Sequence, residues 1–88
     1  MKYHIEIAEK LEKKFNRIPN KERERIIEKI DLLAENPRPQ GCKKLKGNKQ
    51  LPLYRVRVGD YRIIYAIEDK ILLVLIIDVG NRKNIYKD

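Results

Sequence analysis

Residues 53 to 65 read LYRVRVGDYRIIY, and this stretch limits the possible fold more than any other. Apolar and polar residues alternate on both sides of a Gly-Asp pair, the signature of two antiparallel strands joined by a two-residue turn. A turn at Gly59-Asp60 sets the register: Val58 faces Tyr61, Arg57 faces Arg62, Val56 faces Ile63 and Arg55 faces Ile64. Side chains alternate across a strand, so Tyr54, Val56, Val58, Tyr61, Ile63 and Tyr65 form a core face. Arg55, Arg57 and Arg62 fall together on the opposite face. Directly opposed residues have Cβ atoms about 4.5–5.5 Å apart, where like charges destabilise the pair. At about 5 Å two unit charges repel by roughly 1 kcal/mol in water and roughly 3 kcal/mol at an effective dielectric of 20. A chain shaped by stability alone would avoid that pairing.

The rest of the chain supplies elements to cover this hairpin. Tyr3, Ile5 and Ile7 alternate with His4 and Glu6, which predicts a first strand over residues 3 to 7. Ala8, Leu11, Phe15 and Ile18 recur at three- and four-residue spacing and predict a short amphipathic helix ending near Pro19. Asn20 is the expected cap of a second helix, with Ile26, Ile27, Ile30, Leu33 and Ala34 as its buried stripe and Asn36-Pro37 as its end. Residues 38 to 52 hold two prolines, two glycines and Lys43, Lys44, Lys46 and Lys49, and read as a surface loop. After Glu68-Asp69-Lys70 comes ILLVLIIDV, an apolar run expected to be a central strand covered at least partly on both faces. Gly80 then leads into the basic tail NRKNIYKD.

The expected fold class is α+β. A short N-terminal strand and a two-helix hairpin pack on an antiparallel sheet of three to four strands, in one domain spanning residues 1 to 88. The helices cover one face and leave the arginine face as an open basic groove. The longest apolar run, Ile71 to Ile77, is too short to span a bilayer, and no signal-like segment precedes it, so a soluble cytoplasmic protein is expected. A single cysteine, Cys42, excludes an internal disulfide framework, and with the single histidine, His4, it makes no metal cluster. No metal or other cofactor is expected.

Charge placement narrows the function. Residues 38 to 62 carry eight Lys and Arg against Asp60 alone, which is +7 of the chain's net +8. Such a concentration, continuing from a loop into paired strands, suits a surface that meets a polyanion. No Ser/His/Asp set, glycine-rich phosphate loop or cysteine-histidine pair is present, so arginine, lysine and tyrosine remain. Guanidinium groups bind phosphate bidentately and stabilise charge developing on a phosphorane-like transition state. Arg55 and Arg57 stand two strand rises apart, about 6.6–6.8 Å, and Arg62 closes the triangle from the neighbouring strand. A bound phosphate would also relieve their repulsion. A tyrosine or lysine beside several cations can serve as general base, and Tyr86 is a candidate if the tail returns along the sheet.

KKLKG at 43 to 47, LYRVRVGDYRIIY at 53 to 65 and DVGNRKNIY at 78 to 86, with NPRP at 36 to 39, resemble the motif blocks of the RelE/ParE toxin superfamily, most closely its RelE branch. The likeness covers nearly the whole chain. It implies a ribosome-dependent endoribonuclease that cleaves mRNA in the A site without a metal, held inactive by a cognate RelB-like antitoxin in a hetero-oligomer. The 2′-hydroxyl of the message attacks the adjacent phosphate, giving a 2′,3′-cyclic phosphate and a free 5′-hydroxyl. By the same resemblance, Arg55 and Arg57 match the base and transition-state positions, and Arg62 holds the scissile phosphate. Arg82 assists the leaving group, and Tyr86 stacks on or orients the base at the cut. Lys43, Lys44, Lys46 and Lys83 are expected RNA contacts. Arginine is effectively always charged, so Arg55 and Arg57 are poor proton acceptors and the general base stays unassigned. Two other functions remain open: inhibition of DNA gyrase, as in the ParE branch, and passive RNA binding.

Overall fold

The computed structural model describes residues 2–45 and 52–81. In chain order its elements are β1 (His4–Ile7), α1 (Leu11–Arg17), α2 (Asn20–Glu35), β2 (Lys43–Leu45), β3 (Leu53–Val58), β4 (Tyr61–Glu68), a 3₁₀ turn (Asp69–Ile71) and β5 (Leu73–Asn81). One five-stranded sheet runs β1-β5-β4-β3-β2. Every pairing is antiparallel except β1 on β5. The α+β class is as expected, but the sheet is mixed and has one strand more than the three to four expected.

The extra strand is β2, in the stretch read as loop. Lys43 pairs with Arg55, Lys44 with Tyr54 and Leu45 with Leu53. Its lysines disguise it, because an edge strand has one ladder to satisfy and needs no apolar run, and charged side chains blunt its free edge. The parallel β1–β5 contact needs a long connection between the two strands. The helices and the β2–β4 ribbon supply it.

The hairpin has the expected register, with Val58 opposite Tyr61 and Arg57 opposite Arg62. Gly59 sits at φ 60° and Asp60 does not have a positive φ. A positive φ at the first turn residue alone is the II′ pattern, which favours glycine there and matches the twist of the flanking strands. Between β4 and β5 the register slips at Ile64/Tyr65: Ile64 faces Asp78 and Tyr65 faces Ile76, which leaves Ile77 as a bulge.

The core lies between the helices and one sheet face. Leu11, Ile18, Ile26, Ile30 and Leu33 from the helical side meet Tyr54, Val56, Ile63, Tyr65, Ile67, Val74, Ile76 and Val79. Full burial of a large aliphatic side chain contributes about 1.5–3 kcal/mol, and Ile26, Leu33, Ile63 and Ile76 are completely inaccessible. Lys14 of α1 also bonds Asp78 of β5 at 2.6 Å. Two details of α2 differ from expectation. Pro19 occupies the cap position and makes no side-chain cap, while Asn20 is already helical and its Oδ1 accepts from Arg23. Ile27 is 46% exposed. It lies at the margin of the stripe formed by Ile26, Ile30, Leu33 and Ala34, about 20° past Ala34, where its longer side chain reaches solvent. No described helix is long and apolar enough to cross a membrane.

Candidate nucleic-acid interface

Strand alternation brings the basic residues together on the face turned from the helices. One row across the sheet reads Lys43, Arg55, Ile64, with Asp78 next in register but its carboxylate taken by Lys14 of α1; the next row reads Arg57, Arg62, Gly80. Since directly opposed residues share a face, Lys43 belongs beside Arg55, a placement no loop reading could supply. Lys44, paired with Tyr54, falls on the other face and is exposed. Gly80 opposite Arg62 brings no side chain to the row. Arg82, Lys83, Tyr86 and Lys46 lie outside the described residues, as does Lys49.

The three arginines of these rows differ in exposure. Arg57 is exposed, Arg62 is half-buried, and Arg55 is only 6% exposed. The expected open groove is therefore open only in part: Ile64 and Ala66 are buried on the same face. Arg55 is hemmed in by Lys43 and Ile64 across the ladders and by Leu53 and Arg57 along its own face of the strand. Its Nε is inaccessible and donates to nothing among the described residues. A buried donor without a partner costs about 1–3 kcal/mol, and more when charged. Neither Arg55 nor Arg57 forms an ion pair among the described residues. What this row can do chemically is hold an anion. It concentrates fixed positive charge, with one cation already stripped of solvent, where an added oxyanion would be favoured.

A second polar cluster, absent from the sequence reading, ties the other end of the sheet. Arg38 grips Asp69 with both arms, Nη1 to Oδ1 at 3.2 Å and Nη2 to Oδ2 at 2.9 Å. Tyr3 donates to the same Oδ1 at 2.7 Å, and Arg38 Nε donates to the Tyr54 hydroxyl at 3.3 Å. The guanidinium carbon also stands 5.4 Å from the centre of the Tyr54 ring, within cation–π range. Hydrogen bonds from Arg38 and then Tyr3 hold the Asp69 carboxyl below its ordinary range. The bond to Asp69 in turn keeps Arg38 still more firmly protonated. Beneath them Tyr65 donates to the Pro37 carbonyl at 2.7 Å. Its ring stacks on Tyr54 with centroids 5.9 Å apart. Burial, with Cys42 beside it, pushes the Tyr65 phenol well above its ordinary value. No sequence signal pointed to this cluster, because its members come from four separate segments.

Comparison with known proteins places this geometry. A family model for the ParE toxin of type II toxin-antitoxin systems matches residues 3–86. The toxin RelE of Mycobacterium tuberculosis is 33% identical over 97% of this chain and 87% of its own. The mRNA interferase toxin RelE of Escherichia coli is 28% identical over 94% of this chain and 86% of its own. Among solved structures, the archaeal RelE-RelB complex from Pyrococcus horikoshii superposes with a TM-score of 0.83 at 32% identity, covering 97% of this chain and all of that one. The chain is thus a toxin of a type II toxin-antitoxin system, a member of the RelE/ParE superfamily with full-length homology to the RelE toxins.

Proposed function

We propose that this toxin is a ribosome-dependent endoribonuclease that cuts mRNA in the A site. The observation that carries the reading is the cationic row itself, Arg57 against Arg62 with Arg55 buried beside them and no described carboxylate paired to Arg55 or Arg57. In the reaction the 2′-oxygen forms a bond to phosphorus as the bond to the 5′-oxygen breaks. The 2′-proton passes to a base and the departing 5′-oxygen gains a proton. Arg62 and Arg55 hold the non-bridging oxygens, and Arg57, exposed at the rim, meets the charge that builds on the phosphorane. Arg82 assists the leaving oxygen, Tyr86 orients the base at the cut, and Lys43, Lys46 and Lys83 contact flanking phosphates. Lys44 faces away from the row and contributes least. The named function of the E. coli relative, mRNA interferase, supports the reading. A RelB-like antitoxin is the expected partner, since the P. horikoshii relative was solved as a RelE-RelB complex.

The test is cleavage coupled to translation. Purified protein added to translating ribosomes should cut message at the A site, and Arg62→Ala should abolish the cut without unfolding the protein. Intact message after prolonged incubation with active ribosomes would reject the proposal. The ParE description of the matching family model favours one second reading, inhibition of DNA gyrase. Arrested supercoiling with untouched message would decide for it.

A further inference from the structure

The Arg38 cluster lies away from the basic row, yet it bears on the two strands that carry much of it. We infer that Arg38 and Asp69 are positioning residues that hold β2 and β3 in the register which places Lys43 beside Arg55, and so set RNA affinity through a contact that touches no RNA. The inference rests on the nucleic-acid reading of the basic row.

The need for such a device follows from β2 itself. Its described residues, Lys43–Leu45, lie at the sheet edge and pair with one neighbour, β3. An edge strand is held by one ladder alone, so what fixes its entry matters to its register. The entry runs from Asn36, where α2 ends, to Cys42; local backbone bonds and the packing of Cys42 on the core shape it, and its side-chain ties to the sheet come from the cluster. Tyr65 holds the Pro37 carbonyl, and Arg38 holds both Asp69 and Tyr54. Tyr54 is adjacent to Arg55 in β3 and faces Lys44 of β2, so it meets both strands. Asp69 opens the turn between β4 and β5, and Tyr3 brings in the start of β1. One carboxylate therefore joins three segments: the Tyr3 end of β1, the β4–β5 turn and the approach to β2.

An exposed ion pair usually contributes little. This one departs from the usual case because its fork is bidentate, a tyrosine shares the carboxylate, and a second tyrosine takes Nε. Such geometry fixes an orientation, which a single-point contact cannot do.

The sign of one substitution separates positioning from plain charge. Asp69→Asn makes the protein more positive, so long-range electrostatics alone predicts tighter RNA binding. Loss of the clamp predicts the reverse. With a short mixed-sequence single-stranded RNA as probe, D69N should bind several-fold more weakly. Hydrogen exchange should quicken at the Lys43–Leu45 amides and stay unchanged in β4 and β5. Arg38→Lys keeps the net charge but loses the fork, and it should weaken binding in the same way. In translation-coupled cleavage both variants should raise KM and leave kcat in place. Equal or tighter RNA binding by folded D69N overturns the inference, as does unchanged binding by R38K should D69N fail to fold. If the unaltered protein binds the probe but cuts no message on ribosomes, the nuclease reading falls and the clamp is judged by the binding measurements alone.

Discussion

Arg38 and Arg57 are the same side chain set near opposite ends of one sheet, and the chain treats them in opposite ways. Arg38 meets a carboxylate with both arms, a tyrosine hydroxyl with its third nitrogen, and an aromatic face. Arg57 faces another arginine and forms no ion pair among the described residues. The clamp end shows that this sequence can surround a guanidinium with acceptors when structure requires it. Like-charge opposition at the hairpin end is therefore not a general shortage of acidic partners, since the chain has 13 Asp and Glu. Under the proposed function, the counter-charge that Arg57 lacks among the described residues is the one an RNA phosphate would bring.

The largest effect that would break this contrast concerns the hairpin end. Arg57→Ala should reduce cleavage by about 10²–10³-fold, the usual consequence of removing one group that stabilises developing charge. Its thermal stability should be unchanged or slightly raised, because a repulsion is lost. Single-turnover cleavage and a melting curve on the same preparation check both halves. A variant that lost stability and kept activity would reverse the roles assigned to the two ends.

At the clamp end the order inverts. Tyr65→Phe leaves the buried Pro37 carbonyl without its donor, which should cost about 1–3 kcal/mol. Urea unfolding should show a lower midpoint with an unchanged slope. The alkaline limb reports the same group. Because the folded phenol ionises well above its ordinary value, its stabilising contribution is complete below about pH 10, where an unfolded tyrosine begins to ionise. It is lost as pH rises towards the folded value, since the unfolded state then holds fewer protons. Tyr65→Phe should flatten that limb.

A smaller change would sharpen the comparison by giving the hairpin end what the clamp end has. Arg57→Glu turns the opposed pair with Arg62 into an attractive one, worth about 0.2–1 kcal/mol over a neutral pair. For a domain of this size that is a rise of up to about 4–8 °C in melting temperature. RNA affinity should collapse in the same variant. Stability gained with binding lost, in one substitution, is the outcome the contrast requires.

The two ends also differ in how far they could be read from sequence. The hairpin was legible down to its register, because a Gly-Asp turn and period-two alternation are local and each confirms the other. The facing of Arg57 and Arg62 followed at once. The α2 stripe was legible except at Ile27, which sits at its margin beside Ala34 and stays half exposed where the smaller Ala34 is buried. The clamp was hidden because Tyr3, Arg38, Tyr54 and Asp69 are distant in sequence and meet only through tertiary pairing. β2 was hidden because its two lysines and flanking Pro and Gly carry loop chemistry, while its strand geometry is imposed by the β3 edge. The burial of Arg55 was likewise hidden, since it depends on Lys43 and Ile64 arriving from neighbouring strands. Without the resemblance, Arg82 would not have been chosen at all, and it lies outside the described residues with Tyr86.

The smallest effect is a pH dependence that only the clamp end should show. Arg38 and Tyr3 hold the Asp69 carboxyl below its ordinary value, so the folded protein keeps this group ionised where an unfolded aspartate is already taking up a proton. Between the two values the unfolded state binds more protons, and stability rises with pH. The contribution is thus present in full above about pH 4, where an unfolded aspartate is ionised, and it fades as pH falls through the folded value. Asp69 is about half exposed, and screening by water keeps the effect small. It can be isolated by difference: the acid limb of the unaltered protein, minus that of Asp69→Asn, should show a loss confined to that window. Tyr3→Phe removes the second of the two bonds that lower the value and should move the loss to slightly higher pH. Arg57→Ala should leave the acid limb untouched, because no carboxylate pairs with Arg57 among the described residues. An acid limb that shifted with Arg57 and not with Tyr3 would mean that the counter-charge had been assigned to the wrong end of the sheet.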